Sequence, residues 1–300
     1  MIDTFGIPQE SVADVQIFTV PGLANWFKPR GVAMCHIIAI SGGAGGGGGF
    51  TGVALGAGGG GSGGSSGVSR VTLPAWYLPD RLLVQVGAGG IGGAPGSGGT
   101  AGGNGALSYV VIAPNTTASN VVVLSGAAGP VGGSPGSNSA GGAGGAAGTI
   151  AVIGSMPLAG SGQFNLIAGQ VGVIGGDDSG ANGTAITIPT TSTLCQAGSG
   201  GAGVTGSDTQ GGACTAIANS YLSEQRPETP AAGSFNGSGG PQLWKPFFSF
   251  GGLGGSGSVA GTSGNGGNGA RGAGGGGGGG GNVGGSGGNG GDGIVIFISW

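Results

Sequence analysis

The chain has 300 residues, 86 of them glycine, with only 6% charged and a formal net charge of −3. So weak a field leaves no electrostatic footprint for nucleic acid or an anionic membrane surface. No apolar run approaches the ~18–20 residues of a membrane span and no basic residue precedes Lys28, so neither a transmembrane segment nor a signal peptide is expected.

In chain order, residues 1–14 ("MIDTFGIPQESVAD") carry Asp3, Glu10 and Asp14, no base and no glycine register. They are expected to form an N-terminal arm for attachment to a partner, with 15–300 a single domain. "VQIFTV" (15–20) ends at Pro21-Gly22, a turn signal, and "VAMCHIIAIS" (32–41) comes next, which predicts an antiparallel pair. The single histidine, His36, sits beside Cys35, but neighbours on a strand point to opposite faces, which disfavours a Cys/His nucleophilic pair. Residues 69–87 predict a second strand pair, broken by Pro74 and Pro79. Further strands are expected at 107–113 and 119–126, flanking Pro114-Asn115, then at 149–154 and at the end, "GIVIFISW" (293–300).

Within this order, "LLVQVGAGGIGG" (82–93) matches a dinucleotide-binding fingerprint, with a strand-like run leading into Gly87-x-Gly89-x-x-Gly92. The residues after it read "GAPGSGGTAGGNGALS", and interior Gly and Pro cost a helix ~1 and ~3 kcal/mol relative to Ala. No helix can start there to receive a pyrophosphate. The ribose-binding acid is also missing, since the next carboxylate after Arg81 is Asp177, and no Gly-Lys pair exists for a phosphate loop. One histidine builds no catalytic triad. No enzyme activity, cofactor or metal is expected.

The glycines themselves keep a period of three. They recur from Gly87 to Gly105 and from Gly266 to Gly293 without a break. That is the repeat of a left-handed polyproline-II helix. Collagen would need abundant proline, and the run from Gly266 to Gly293 has none. The alternative is a bundle of polyglycine-II helices. Such a helix has no internal hydrogen bonds, so its N–H and C=O groups must find partners on neighbours, and only a missing Cβ lets a neighbour approach. Unbroken glycine therefore marks the centre, here Gly45–Gly49 and Gly274–Gly281, and the Gly-x-x runs mark the outside. The core glycines are Gly45, Gly47, Gly49, Gly277, Gly278 and Gly281. At ~3.1 Å per residue the 266–293 stretch would run roughly 85 Å, against a diameter near ~50 Å for a compact chain of this length. It must fold back, with Asn282-Val283 or the Gly-Asn pairs at 264–269 as reversal points. The expected fold is mainly β and irregular: a polyglycine-II bundle clamped by short antiparallel strands.

Three stretches break the register and are expected to leave the bundle as loops: 155–166, 177–196 and 207–250. Loops on a rigid scaffold are where recognition sits. Tyr221, Glu224, Arg226, Glu228 and Phe235 are the receptor-binding candidates, joined by Phe164 and by Asp177-Asp178. Two carboxylates without further oxygen ligands do not make a cation site. Trp244, Phe247, Phe248 and Phe250 are expected to pack together as an apolar plug. Cys195 and Cys214 could pair, although three scattered cysteines fit buried, reduced thiols better.

"VQIFTVPGLANWFKPRGVAMCHIIAISGGAGGGGGF" resembles the start of the glycine-rich domain of tailed-bacteriophage tail-fibre and minor tail proteins. The matching features are Phe18-Thr19, Gly22, Trp26, Lys28-Pro29-Arg30-Gly31 and Val32–Ile40. Leu78-Pro79 through Val86-Gly87-Ala88-Gly89-Gly90 and the closing Gly291-Asp292-Gly293-Ile294-Val295-Ile296 resemble the later pattern of that domain. More loosely, the chain is similar to the polyglycine-II adhesins of T-even-like phage long tail fibres. The resemblance implies a virion structural protein assembled in the host cytoplasm, a tail-fibre tip adhesin above all. Its partners would be other fibre, tail or capsid proteins, a bacterial surface protein or glycan, and further copies of itself. A head-decorating or minor structural role is the alternative, and an ice-binding or self-assembling fibre protein a remoter one.

Overall fold

A computed structural model describes residues 13–52, 56–112, 122–126, 129–149, 163–189, 193–215, 222, 225–245 and 247–300. Its strands are β1 (Asp14–Phe18), β2 (Gly22–Phe27), β3 (Met34–Ile40), β4 (Val68–Pro74), β5 (Arg81–Val86), β6 (Tyr109–Ile112), β7 (Val122–Ser125) and β8 (Gln163–Ile167). Then come β9 (Ile186–Thr187), β10 (Cys214–Thr215), β11 (Gln242–Trp244), β12 (Phe247–Ser249), β13 (Ser258–Thr262), β14 (Gly281–Val283) and β15 (Ile294–Ser299). Helix is limited among the described elements to one 3-10 turn, Ala75–Tyr77. The protein is mainly β and irregular.

Two antiparallel sheets, β1-β15-β3-β4-β8 and β2-β5-β6-β7, pack face to face. Alternation builds the layer between them: Cys35, Ile37 and Ala39 of β3, Val71 and Leu73 of β4, and Val295 and Phe297 of β15 meet Trp26, Leu82, Val84 and Val110 from the other sheet. A second cluster, of Ile40, Val68, Ile167, Cys195 and Ile294, seals the strand ends. A third, of Ile186, Ile188, Ala197, Cys214, Phe248, Phe250 and Leu253, holds the small β9–β10 and β11–β12 pairs. The pairs β9–β10 and β13–β14 are parallel, unlike the uniformly antiparallel strands expected. Cys35, Cys195 and Cys214 are free and buried. Burial pushes the Cys35 thiol up to about 11 and that of Cys195 up to about 12.

Strand pairing departs from the expected hairpins. β1 does not pair with β3; β15 lies between them, with Ile17 opposite Ile296 and Ile37 opposite Phe297. A run apolar on both faces suits the inner position, and the half-exposed β1 suits the edge. β4 and β5 fall in different sheets, because the Pro74–Pro79 link carries the chain across the sandwich. β2, for which no strand is expected after the Pro21-Gly22 turn signal, pairs with β5. The β6–β7 pair forms as expected. Residues 150–154 of the strand expected at 149–154 lie outside the described residues. Of the expected arm, Asp14 belongs to β1, opposite Ser299, and residues 1–12 lie outside the described residues.

β3, β4, β5, β6, β7, β8 and β15 each continue directly into or out of a glycine segment. These segments bond to one another in a threefold rotation. In 42–49, Gly42, Gly45 and Gly48 donate to Ala106, Gly103 and Thr100; Gly43, Gly46 and Gly49 donate to Gly291, Gly288 and Gly285; Ala44 and Gly47 donate to Gly64 and Gly61. The carbonyls rotate likewise. Those of Gly43, Gly46 and Gly49 accept from Gly90, Gly93 and Gly96; Ala44 and Gly47 accept from Gly275 and Gly278; Gly45 and Gly48 accept from Gly133 and Gly136. Segment 272–281 is enclosed in the same way. A Cβ at Gly45, Gly47, Gly49, Gly277, Gly278 or Gly281 would lie under 3.0 Å from a neighbour's backbone oxygen.

A third segment, 57–66, which holds the unbroken glycines 58–61, is just as enclosed. Gly58, Gly61 and Gly64 donate to Ser137, Ser134 and Val131; Gly59, Ser62 and Ser65 to Gly176, Val173 and Gln170; Gly60, Gly63 and Ser66 to Gly278, Gly275 and Gly272. Serines extend it beyond the glycines. Ser62 Oγ accepts from Val173 N at 2.8 Å and Ser65 Oγ from Gln170 N at 2.7 Å, so each hydroxyl stands in for a lattice carbonyl.

The 266–293 stretch does fold back at Asn282-Val283, after which Gly285 and Gly288 donate to Gly279 and Gly276. The Gly-Asn pairs at 264–269 lie inside a straight segment instead. Their asparagines cap amides, Asn265 Oδ1 taking Ser286 N and Asn268 Oδ1 taking Asn289 N. The other reversal is at Gly272, whose φ of +71° a side chain rarely adopts.

Candidate binding surface at the distal end

With the sandwich holding one end of the glycine segments, several of their turns collect at the other. Phe50 bridges Gly96, Thr51 bridges Gly281, Ala57 bridges Val204 and Thr209 bridges Gly257 across this distal end. Lattice bonds lie immediately behind the described residues of these turns, so side chains mounted there stand on hydrogen-bonded supports.

Asp177 and Asp178 open one turn. Asp177 Oδ1 accepts from Ser179 N at 3.1 Å and Ser179 Oγ at 2.5 Å, an arrangement that closes the turn and leaves Asp177 exposed. Gly56 packs against Asp178 and Gly180 against Thr205, which joins three turns. Between them lies a shallow cleft of about 320 Å³ lined by Thr205, Val204, Val259 and Asn282. Asp208 Oδ1 accepts from Val259 N at 2.9 Å. Phe235, 57% exposed, is tied to the same end by Ser256 N donating to its carbonyl at 3.0 Å. The distal end thus carries exposed Asp177 and Asp208 together with exposed Val259 and Phe235.

The other candidates lie elsewhere. Arg226 Nη1 donates to Cys214 O at 2.9 Å, which draws it to the β9–β10 pair, and exposed Glu228 accepts from Ser238 Oγ through its backbone carbonyl. Phe164 is on a strand, not in a loop: β8 adds to the sandwich edge with Phe164 opposite Val71. Apolar alternation in "QFNLI" is what the sequence offers for that strand. Tyr221 and Glu224 lie outside the described residues. Of the expected plug, Phe248 and Phe250 are buried and T-shaped at 4.8 Å, but Trp244 is exposed, because it stands at the turn end of the β11–β12 hairpin. Sequence reasoning misses Asp208, Thr205 and Val259. Asp208 breaks the glycine register in "TGSDTQG", a signal legible in the sequence; the exposure of Val259 is not.

The Gly87-x-Gly89-x-x-Gly92 amides are all engaged internally, with Ser108 Oγ, Asp292 Oδ1 and Asn289 Oδ1, so they form no phosphate cradle. His36 Nδ1 lies 2.7 Å from Thr72 Oγ1 across the β3–β4 pair, away from Cys35 on the opposite face. Among the described residues no three metal-binding side chains gather, and no helix is long and apolar enough to cross a membrane. No protein-family model and no curated protein matches the chain.

Proposed function

We propose that the glycine segments are polyglycine-II helices and that the protein is a bacteriophage virion component, a tail-fibre tip adhesin. The helix assignment is supported by the threefold rotation of donors and acceptors in 42–49, because three residues per turn send successive amides to successive neighbours. One observation carries the function: a rigid lattice, anchored in a β-sandwich at one end, mounts Asp177, Asp178, Asp208, Val259 and Phe235 together at the other. Exposed aromatic and apolar groups beside charges suit recognition of a bacterial surface protein or glycan. Glu228 and Arg226 lie along the flank, as secondary contacts.

Mass spectrometry of purified particles tests the virion assignment, which an absence of the protein from particles would overturn. Particles carrying Phe235→Ala with Asp178→Ala test the adhesin role. They should assemble normally and adsorb to host cells about tenfold or more slowly, the loss of ~1.4 kcal/mol of binding. Wild-type adsorption would remove the distal end from the receptor site.

A further inference from the structure

Along the flank of the glycine lattice runs a groove of about 510 Å³, between segments 87–96, 263–270 and 284–293, with the β11–β12 hairpin overhanging it. Its walls carry two exposed apolar groups, Trp244 (52%) and Ile91 (76%), and its floor is glycine backbone. We propose that this groove binds a pyranose unit of a polysaccharide, a bacterial surface one on the virion reading above.

The polar groups in it are fixed before any ligand arrives. Asn289 Oδ1 accepts from Gly92 N at 2.8 Å, Asn268 Oδ1 from Asn289 N at 2.9 Å and Asp292 Oδ1 from Gly89 N at 2.9 Å. Each bond orients its side chain and leaves one polar atom without a partner among the described residues: Nδ2 of Asn289, Nδ2 of Asn268 and Oδ2 of Asp292. Arg271 Nη1 is held by Thr19 O at 3.0 Å and Gly293 O at 3.3 Å, and its Nε and Nη2 have no partner among the described residues. Trp244 is braced edge-on by Phe247 at 5.9 Å. Donors and an acceptor held at set positions cost little ordering on binding.

This combination selects its ligand. A pyranose offers an apolar C–H face to an indole and hydroxyls that both donate and accept. An apolar peptide side chain would cover Trp244 and leave the amides and Asp292 unpaired and cut off from water. A nucleotide could stack as well, but Asp292 would oppose its phosphates beside Arg271, the single cation of the described lining, whose Nη1 is already committed to Thr19 O and Gly293 O. The site is separate from the distal turns and stands whether or not they bind a receptor.

Wild-type protein applied to a microarray of bacterial surface polysaccharides should bind at least one. Trp244→Ala and Ile91→Asp, each altering an exposed side chain, should melt as wild type does and weaken that binding about tenfold or more. Phe235→Ala should leave it unchanged. Failure of the wild type to bind any glycan on the array, or equal binding by folded Trp244→Ala and Ile91→Asp, would overturn the proposal. Particle adsorption by the distal variants is read separately, so the two assignments fail independently.

Discussion

Trp26 and Phe297 stack with ring centroids 4.6 Å apart and planes 15° from parallel, joining the two sheets of the sandwich from opposite ends of the chain. Trp26 is fully buried, yet its Nε1 has no hydrogen-bond partner among the described residues. The ring is held for its volume and its face, not for its N–H. Trp26→Ala should therefore cost about 3–5 kcal/mol, as a large core truncation does. Trp26→Phe keeps the stack and removes an unsatisfied donor worth about 1–3 kcal/mol of desolvation, so its net cost should stay under about 1.5 kcal/mol. Urea unfolding midpoints decide it; a Phe variant as unstable as the Ala variant would contradict the argument.

Gly278 donates to Gly47 and accepts from Gly60, and a Cβ there would meet Gly285 closer than 3.0 Å. Gly278→Val should fail to fold in soluble form. Fixing backbone costs ~1–2 kcal/mol per residue against ~1 net per hydrogen bond, so a separated row of bonds leaves no margin. Gly98→Ala is the control, since nothing lies within 4 Å of its added Cβ. An unchanged melting temperature for Gly278→Val would be incompatible with the lattice.

Ser65 Oγ accepts from Gln170 N and donates to Cys195 O at 2.6 Å, fully buried. Ser65→Ala keeps the Cβ and strands both partners. A loss of about 1–3 kcal/mol per stranded group is expected, measured by chemical denaturation. Little or no loss would mean the hydroxyl does not substitute for a lattice carbonyl.

His36 gives a pH dependence. Burial first, and then the Arg70 charge, lowers its pKa below the ordinary value. The unfolded chain thus takes up the proton more readily than the folded one. The contribution of His36 to stability is whole above its unfolded pKa of roughly 6.5 and is lost as pH falls from there through the lower folded value. Stability plotted against pH should turn downward below about 6.5, and this component should vanish in His36→Asn. An identical slope in the variant would assign the acid sensitivity to other groups.

The sequence alone determined the local states. A two-residue alternation makes strands of 34–40, 81–86 and 294–299, and the unbroken glycine of 45–49 and 274–281 marks backbone that neighbours can approach from every side. Only tertiary structure decided which partners meet. One glycine segment offers a neighbour the same amides and carbonyls as any other, so nothing local says that Gly47 faces Gly61. Partner choice follows from the order in which the strands close the sandwich, above all the insertion of β15 between β1 and β3, which sets where each emerging segment begins. The same long-range placement turns Trp244 outward and brings Asp177, Asp208 and Phe235 to one end. Side-chain periodicity is written residue by residue, whereas the choice among equivalent backbone partners is made only when the whole lattice closes.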